Sequence, residues 1–220
     1  MKKTWSKTFT EIEEHHQTNV EVLKALNILR DYLLKYSYEL EKEPEKAKTS
    51  TRFPLPQEVK LKDAIALFTD GACRGNPGPG AWGCFAQDFQ ENIIFEASSF
   101  EKITTNNKME LTAVIAGLKQ ILNWRLDNLP REIIKVHVYS DSKYVIDGIN
   151  QWVPGWLKNN WRKSDNKAPE NLDLWKELYE QSRFPGMHIQ FHWVRGHNGH
   201  PQNEYCDQMC QEVMNQILGS

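Results

Sequence analysis

The stretch AIALFTDGACRGNPGPGAWGCFAQD, residues 64–88, decides how the chain folds. An apolar, β-prone run ends at Asp70, a Gly- and Pro-rich segment follows, and a second apolar run starts at Ala81. Strand, turn and antiparallel strand is what this pattern predicts, because Gly and Pro punctuate the chain while β-prone apolar residues fit a pleated face. NIIFEASSF, residues 92–100, supplies a third strand. Residues 106–122 then place Leu111, Val114, Ile115, Leu118, Ile121 and Leu122 on one helical face behind Thr104, Thr105, Asn106 and Asn107, a helix with its start signal. IIKVHVYSD, residues 133–141, and MHIQFHWV, residues 187–194, read as fourth and fifth strands, and a last helix opens after His200 with Pro201 at its first position. The sum is an α/β fold, a five-stranded mixed sheet flanked by helices.

Upstream of this region the pattern changes. Residues 11–42 lack Gly and Pro and space Ile12, Val20, Leu23, Leu26, Leu29, Leu33, Tyr36 and Leu40 mostly three or four apart, which predicts a helical N-terminal extension over 1–42. Residues 43–61 hold three prolines and mixed charge with little apolar content, the composition of an exposed linker, so 62–220 forms a separate folded domain. The apolar stripe of the extension can pack on that domain, pair with itself in a dimer or dock a partner, in that order of preference.

Composition narrows the function classes. With 220 residues, 40% of them hydrophobic, the chain can bury a core, and no run approaches the length of a membrane span. The start MKKTWSKTFTEIEEHHQ has no apolar signal-peptide core, which points to a cytoplasmic protein without membrane contact. A net charge of −2 gives no global basic field, so any nucleic-acid contact comes from a local patch. Cys73, Cys84, Cys206 and Cys210 are too few for a disulfide scaffold and are expected as packing residues.

Four carboxylates fall where chemistry is placed in such folds. Asp70 ends the first strand and Asp141 the fourth, and in open α/β sheets the carboxyl ends of adjacent strands flank a ligand crevice. Glu110, in the first turn of the long helix, lies at the edge of its apolar stripe. Asp207 flanks the stripe Cys206, Cys210, Val213 and Ile217 of the last helix. Crowded acids repel one another unless a divalent cation neutralises them, and ligands that are all oxygen favour Mg²⁺ or Mn²⁺ over zinc. Taken singly, each acid also reads as a helix cap. A competing metal reading takes His197, His200, Cys206 and Cys210 as a zinc set; against it, the two cysteines sit one turn apart on the apolar side of the last helix.

Four runs in order, FTDGACRGNPGPGAWG (68–83), TTNNKMELTAVIAGL (104–118), VYSDSKYVIDGINQW (138–152) and WVRGHNGHPQNEYCD (193–207), resemble those of type 1 ribonuclease H, the bacterial form. The resemblance covers roughly Lys62 to Val213. It implies an endonuclease that hydrolyses the RNA strand of RNA–DNA hybrids with two Mg²⁺ ions, Mn²⁺ substituting, and leaves 5′-phosphate and 3′-hydroxyl ends. It assigns Asp70, Glu110, Asp141 and Asp207 as metal ligands and His197 as a mobile aid to proton transfer or product release. It sets Cys73, Arg74, Gly75 and Asn76 near the RNA, Asn107 and Lys143 at the groove, and Thr105 and Asn106 in a pocket for a DNA phosphate. The same turn reads as a hairpin entry and the Thr-Thr-Asn-Asn run as a helix cap, and cap and pocket are compatible roles.

Between Gln151 and Glu170, aromatic and basic residues interleave: Trp152, Trp156, Lys158, Trp161, Arg162, Lys163 and Lys167. This local patch resembles the family's basic protrusion, with Trp152 and Trp156 facing the DNA; alternatively the tryptophans are core and the lysines a solvated face. Lys143 stands where related bacterial enzymes commonly carry Gln, so its contact becomes electrostatic. The first 60 residues do not resemble the hybrid-binding domain of eukaryotic members. Two other classes share parts of this pattern, an integrase- or transposase-like DNA nuclease and a non-catalytic hybrid-binding module; four intact acids argue against the second.

Overall fold

The structure is a computed structural model that describes Ile12 and residues 53–59, 64–128, 133–196 and 200–219. The predicted N-terminal helix, Ile12 excepted, the first part of the predicted linker and His197 lie outside the described residues. All the elements below belong to Lys46–Ser220, the second of two units into which the chain divides.

Five strands, β1 (Ala64–Cys73), β2 (Gly78–Gln87), β3 (Ile93–Thr104), β4 (Ile134–Ser140) and β5 (Met187–Trp193), form one sheet in the order β3-β2-β1-β4-β5. The first three are joined antiparallel, and β1, β4 and β5 run parallel. Helices α1 (Asn106–Asn128), α2 (Lys143–Asp147), α3 (Val153–Lys158), α4 (Leu172–Ser182) and α5 (Pro201–Leu218) connect or follow them, with a π-helical turn, Gly148–Trp152, between α2 and α3. This is the mixed sheet the sequence predicts. No helix among the described residues is long and apolar enough to cross a membrane.

The first departure from expectation concerns β1, which does not stop at Asp70. Its antiparallel ladder with β2 continues through Gly71↔Trp82, Ala72↔Ala81 and Cys73↔Gly80, leaving only residues 74–77 as the turn. Here the glycines are not turn signals. A Cβ on Gly71 would lie 2.3 Å from the backbone nitrogen of Glu110, so glycine is what lets α1 press against the strand. The parallel ladder between β1 and β4, by contrast, ends at Phe68↔Tyr139. The sheet therefore forks just before Asp70, and the crevice opens at the end of the parallel pairing rather than at the end of the strand.

Three further expectations are corrected. Helix α1 runs to Asn128, and Glu110 lies in its second turn, inside the buried face rather than at its margin. On α5 the buried side is Cys206, Cys210 and Met214, a strict four-residue spacing, while Ile217 is exposed. The segment 53–59, read from its prolines as exposed linker, is part of the core: Phe53, Leu55 and Val59 pack under Phe68, Phe85, Tyr139 and Cys206. Side-chain amides tie that segment down, Gln202 Nε2 donating to the Pro54 carbonyl at 2.7 Å and Gln87 Nε2 to that of Phe53 at 3.3 Å. Three apolar residues among prolines are enough once a sheet face needs covering. As expected, Cys84, Cys206 and Cys210 are buried packing residues, and burial pushes their thiol pKa values up.

Candidate active site

Asp70, Glu110 and Asp141 meet at the fork. One carboxylate oxygen from each lies within 4.8 Å of the others. Each arrives by a different route: Asp70 from β1 just past the parallel ladder, Asp141 from the residue after β4, and Glu110 from α1, brought close by Gly71. Asp70 and Glu110 are 7% and 5% exposed, little enough that water cannot screen them. Burial pushes the Asp70 carboxyl up to about 7, helped by the charges of Asp141 and Asp207 and opposed by the Gly71 N–H. Burial likewise holds Glu110 well above the usual carboxylate range, with Asp70 and Asp141 adding to it and the Gly71 N–H and Asn106 amide opposing.

Asp141 is fixed from three sides. Asn203 Nδ2 donates to its Oδ2 at 3.1 Å, and Trp193 Nε1 donates to its backbone carbonyl at 3.0 Å. A Cβ on Gly196 would come within 2.1 Å of Oδ2, so that position admits no side chain without moving the carboxylate. Asn203, 3% exposed, has no other evident reason to be buried with its own Oδ1 lacking a hydrogen-bond partner. Sequence reasoning did not single out Asn203, Trp193 or Gly196, since they lie 52 to 62 residues from Asp141 in the chain.

The donor set fits a divalent cation. Glu110 Oε2 is buried without a hydrogen-bond partner, an orphan that a cation would satisfy, and three oxygens with no Cys or His match a hard metal. Among the described residues no other group of three or more His, Cys, Asp or Glu side chains is so placed, and His200, Cys206 and Cys210 form none. Asp207 stands outside the three-acid group, half-buried on α5, where Gln211 Nε2 donates to its Oδ1 at 3.2 Å; it is near enough for its charge to raise Asp70.

Around the acids lie the other predicted residues. In the turn after β1, Gly75 has a φ of +87°, a conformation that favours glycine. Cys73 Sγ donates to the Gly78 and Thr104 carbonyls, and Arg74 reaches Gln211 and Asn215 on α5. Asn76 Oδ1 accepts from the Asn106 N–H at 3.3 Å, and Thr105 caps α1 by accepting from the Lys108 N–H at 3.4 Å. Asn76, Thr105 and Asn107 line a cavity of about 400 Å³ together with Glu170 and Asn171, two residues the sequence reading did not assign. The Lys143 ammonium lies 5.0 Å from the centroid of the Trp193 ring, a cation–π contact beside Asp141.

The aromatic arm combines both readings of its tryptophans. Trp175 on α4 is fully buried, and Trp152 and Trp156 pack on it with ring centroids 6.4 and 5.6 Å away; Trp152 nevertheless keeps 38% of its surface exposed. Tyr144 is the hub: its hydroxyl accepts from Trp175 Nε1 and Asn171 Nδ2, both at 3.2 Å. Trp161 is half-buried with its ring edge-on to Tyr179, Lys158 and Arg162 are exposed, and Lys163 is half-buried.

The RNase H family model matches residues 62–215. Ribonuclease H of Dechloromonas aromatica (strain RCB) is 40% identical over 162 residues, covering 73% of this chain and 100% of that one. For ribonuclease H of Erythrobacter litoralis (strain HTCC2594) the identity is 43% over 149 residues, 68% of this chain and 94% of that one. Among solved structures, LC9-RNase H1, a type 1 RNase H with the type 2 active-site motif, superposes with a TM-score of 0.58 at 31% identity, over 71% of this chain and 74% of that one. LC11-RNase H1 in complex with an RNA/DNA hybrid shares the fold, with a TM-score of 0.52 at 22% identity over 70% of this chain and 99% of that one.

Proposed function

The chain belongs to the ribonuclease H family, and from that premise we propose that it is an endonuclease hydrolysing the RNA strand of RNA–DNA hybrids, leaving 5′-phosphate and 3′-hydroxyl ends. The observation that carries the reading is the meeting of buried Asp70 and Glu110 with half-buried Asp141, with an orphaned Glu110 oxygen among them. Asp70, Glu110, Asp141 and Asp207 would hold a pair of Mg²⁺ ions, or Mn²⁺ in their place. Bound there, such ions supply an activated water and charge compensation for the leaving oxygen.

The chain's own residues do the rest. Asn203 and Trp193 keep the Asp141 oxygens aimed at the fork, and Gly71 lets Glu110 approach Asp70. His197 assists proton transfer or product release. The turn 73–76, with Asn107 and Lys143, reads the RNA strand through its 2′-hydroxyls, the groups that distinguish it from DNA. Thr105 and Asn106 meet a DNA phosphate, and Trp152 and Trp156, with Lys158, Trp161, Arg162 and Lys163, follow the DNA strand. A cytoplasmic location is compatible with that substrate.

Asp70→Asn tests the assignment, because it removes a ligand without changing side-chain size. Turnover should fall at least about a thousandfold while hybrid affinity changes less than about threefold. Equal loss of binding and turnover would contradict the role.

A further inference from the structure

The cavity at the start of α1 has an unusual charge for the ligand it faces. Its wall comes from three segments: Asn76 in the turn after β1, Thr105 and Asn107 at the start of α1, and Glu170 and Asn171 in the turn before α4. The N-termini of α1 and α4 both open nearby, and helix N-termini favour an anion. The amides and the Thr105 hydroxyl can donate to one. Yet the lining residues include an acid, Glu170, and no cation among the described residues. The basic residue in the first turn of α1, Lys108, is paired with Glu101 Oε2 at 2.7 Å.

The position of Glu170 is set by its surroundings. The Tyr144 hydroxyl donates to the Glu170 carbonyl at 3.5 Å and accepts from Asn171 Nδ2, and Asn171 holds a φ of +54° as it caps α4. The turn is thus held to the aromatic hub, with Glu170 on the wall of the cavity.

We propose that Glu170 is the affinity-determining residue of this cavity for the DNA strand of the hybrid, an acid that opposes the seating of a backbone phosphate between the two helix N-termini. This rests on the hybrid-binding reading above. Glu170 lowers the residence of the substrate and leaves chemistry at the acids untouched. It also flattens the salt response, because added ions screen the repulsion from Glu170 along with the attractions elsewhere.

The test uses the full chain, its Glu170→Gln and Glu170→Lys variants, and a labelled hybrid from about 50 to 200 mM salt. Hybrids carrying one uncharged methylphosphonate, moved linkage by linkage along the DNA strand, are measured in parallel. For Glu170→Gln, KM should fall about three- to tenfold at the lowest salt, with the change in KM rather than kcat. For Glu170→Lys the fall is larger, and the slope of log affinity against log salt steepens by about 0.7 to 0.9, the value of one added phosphate contact. At one linkage the methylphosphonate should abolish the advantage of both variants. If a methylphosphonate raises KM at one linkage but neither variant differs from wild type on the unmodified hybrid, Glu170 does not oppose that phosphate and the proposal is wrong while the hybrid-binding reading stands. If no linkage responds, the cavity seats no DNA phosphate and the proposal falls with that part of the reading.

Discussion

Asp70 and Glu110 at the fork of β1 and β4 are buried beside a half-buried Asp141, mutually repulsive and held by neutral polar groups, whereas the arm from Trp152 to Lys167 carries most of its charges at the surface and anchors itself by rings packed on Trp175. The two regions spend folding energy differently. In the fork, the ionised forms of Asp70 and Glu110 cost stability unless something neutralises them, so the site is strained until a cation arrives. In the arm, the buried rings stabilise the fold, and each exposed base adds a small, separable contribution that salt can screen. A change in the fork should therefore act all or none, and a change in the arm should act by degrees.

The sharpest way to break this contrast is the metal-free protein. Asp70 has a folded-state pKa near 7 against an ordinary 3.8, so the folded state binds more protons than the unfolded one across that window. The contribution of this one group to stability is fully present below about pH 4 and is lost as pH rises through about 7. Asp70→Asn, which mimics the protonated acid, should make the metal-free protein more stable than wild type at pH 8 by roughly 2–4 kcal/mol, converging with it below about pH 4. Urea unfolding in EDTA checks this. A variant no more stable than wild type at pH 8 would mean that the acids do not repel as their burial implies.

Asn203→Ala probes the same corner one layer out. With its 3.1 Å hold on Asp141 lost, metal affinity should weaken about 10- to 100-fold, measured by titrating activity with Mg²⁺. Rescue of kcat at high Mg²⁺ would sharpen the case for positioning, while an unchanged metal response would contradict it. The smallest effects belong to the arm. Lys158→Ala and Lys163→Ala should each raise KM only about two- to fivefold and reduce the salt slope by about one contact, with kcat unchanged. A loss of kcat from either would place the arm in the chemistry and dissolve the contrast.

Much of this was legible in the sequence, for identifiable reasons. The five strands and the two long helices follow from local periodicity, and the acids Asp70 and Asp141 from their place at strand ends. What escaped was set by packing between distant segments. Gly71 and Gly80 read as turn residues because their composition matches one, although the close approach of α1 makes them strand. Phe53, Leu55 and Val59 were hidden among prolines, and only the uncovered face of Phe68 and Tyr139 explains their burial. Asn203 and Trp193 had no local signal, since their partner lies more than fifty residues away. Glu170 carries no local signal in the sequence, and only the fold sets it on one cavity wall with Asn76 and Thr105.

The central claim is that the buried acids serve a cation-dependent cut in the RNA strand of a hybrid. The most direct measurement presents one labelled sequence as RNA–DNA hybrid, RNA duplex, DNA duplex and single-stranded RNA, each with Mg²⁺ or with EDTA. The account predicts cleavage of the hybrid's RNA strand alone, in Mg²⁺ alone, with 5′-phosphate ends. Cleavage of the DNA duplex, or hybrid cleavage that survives EDTA, would contradict it.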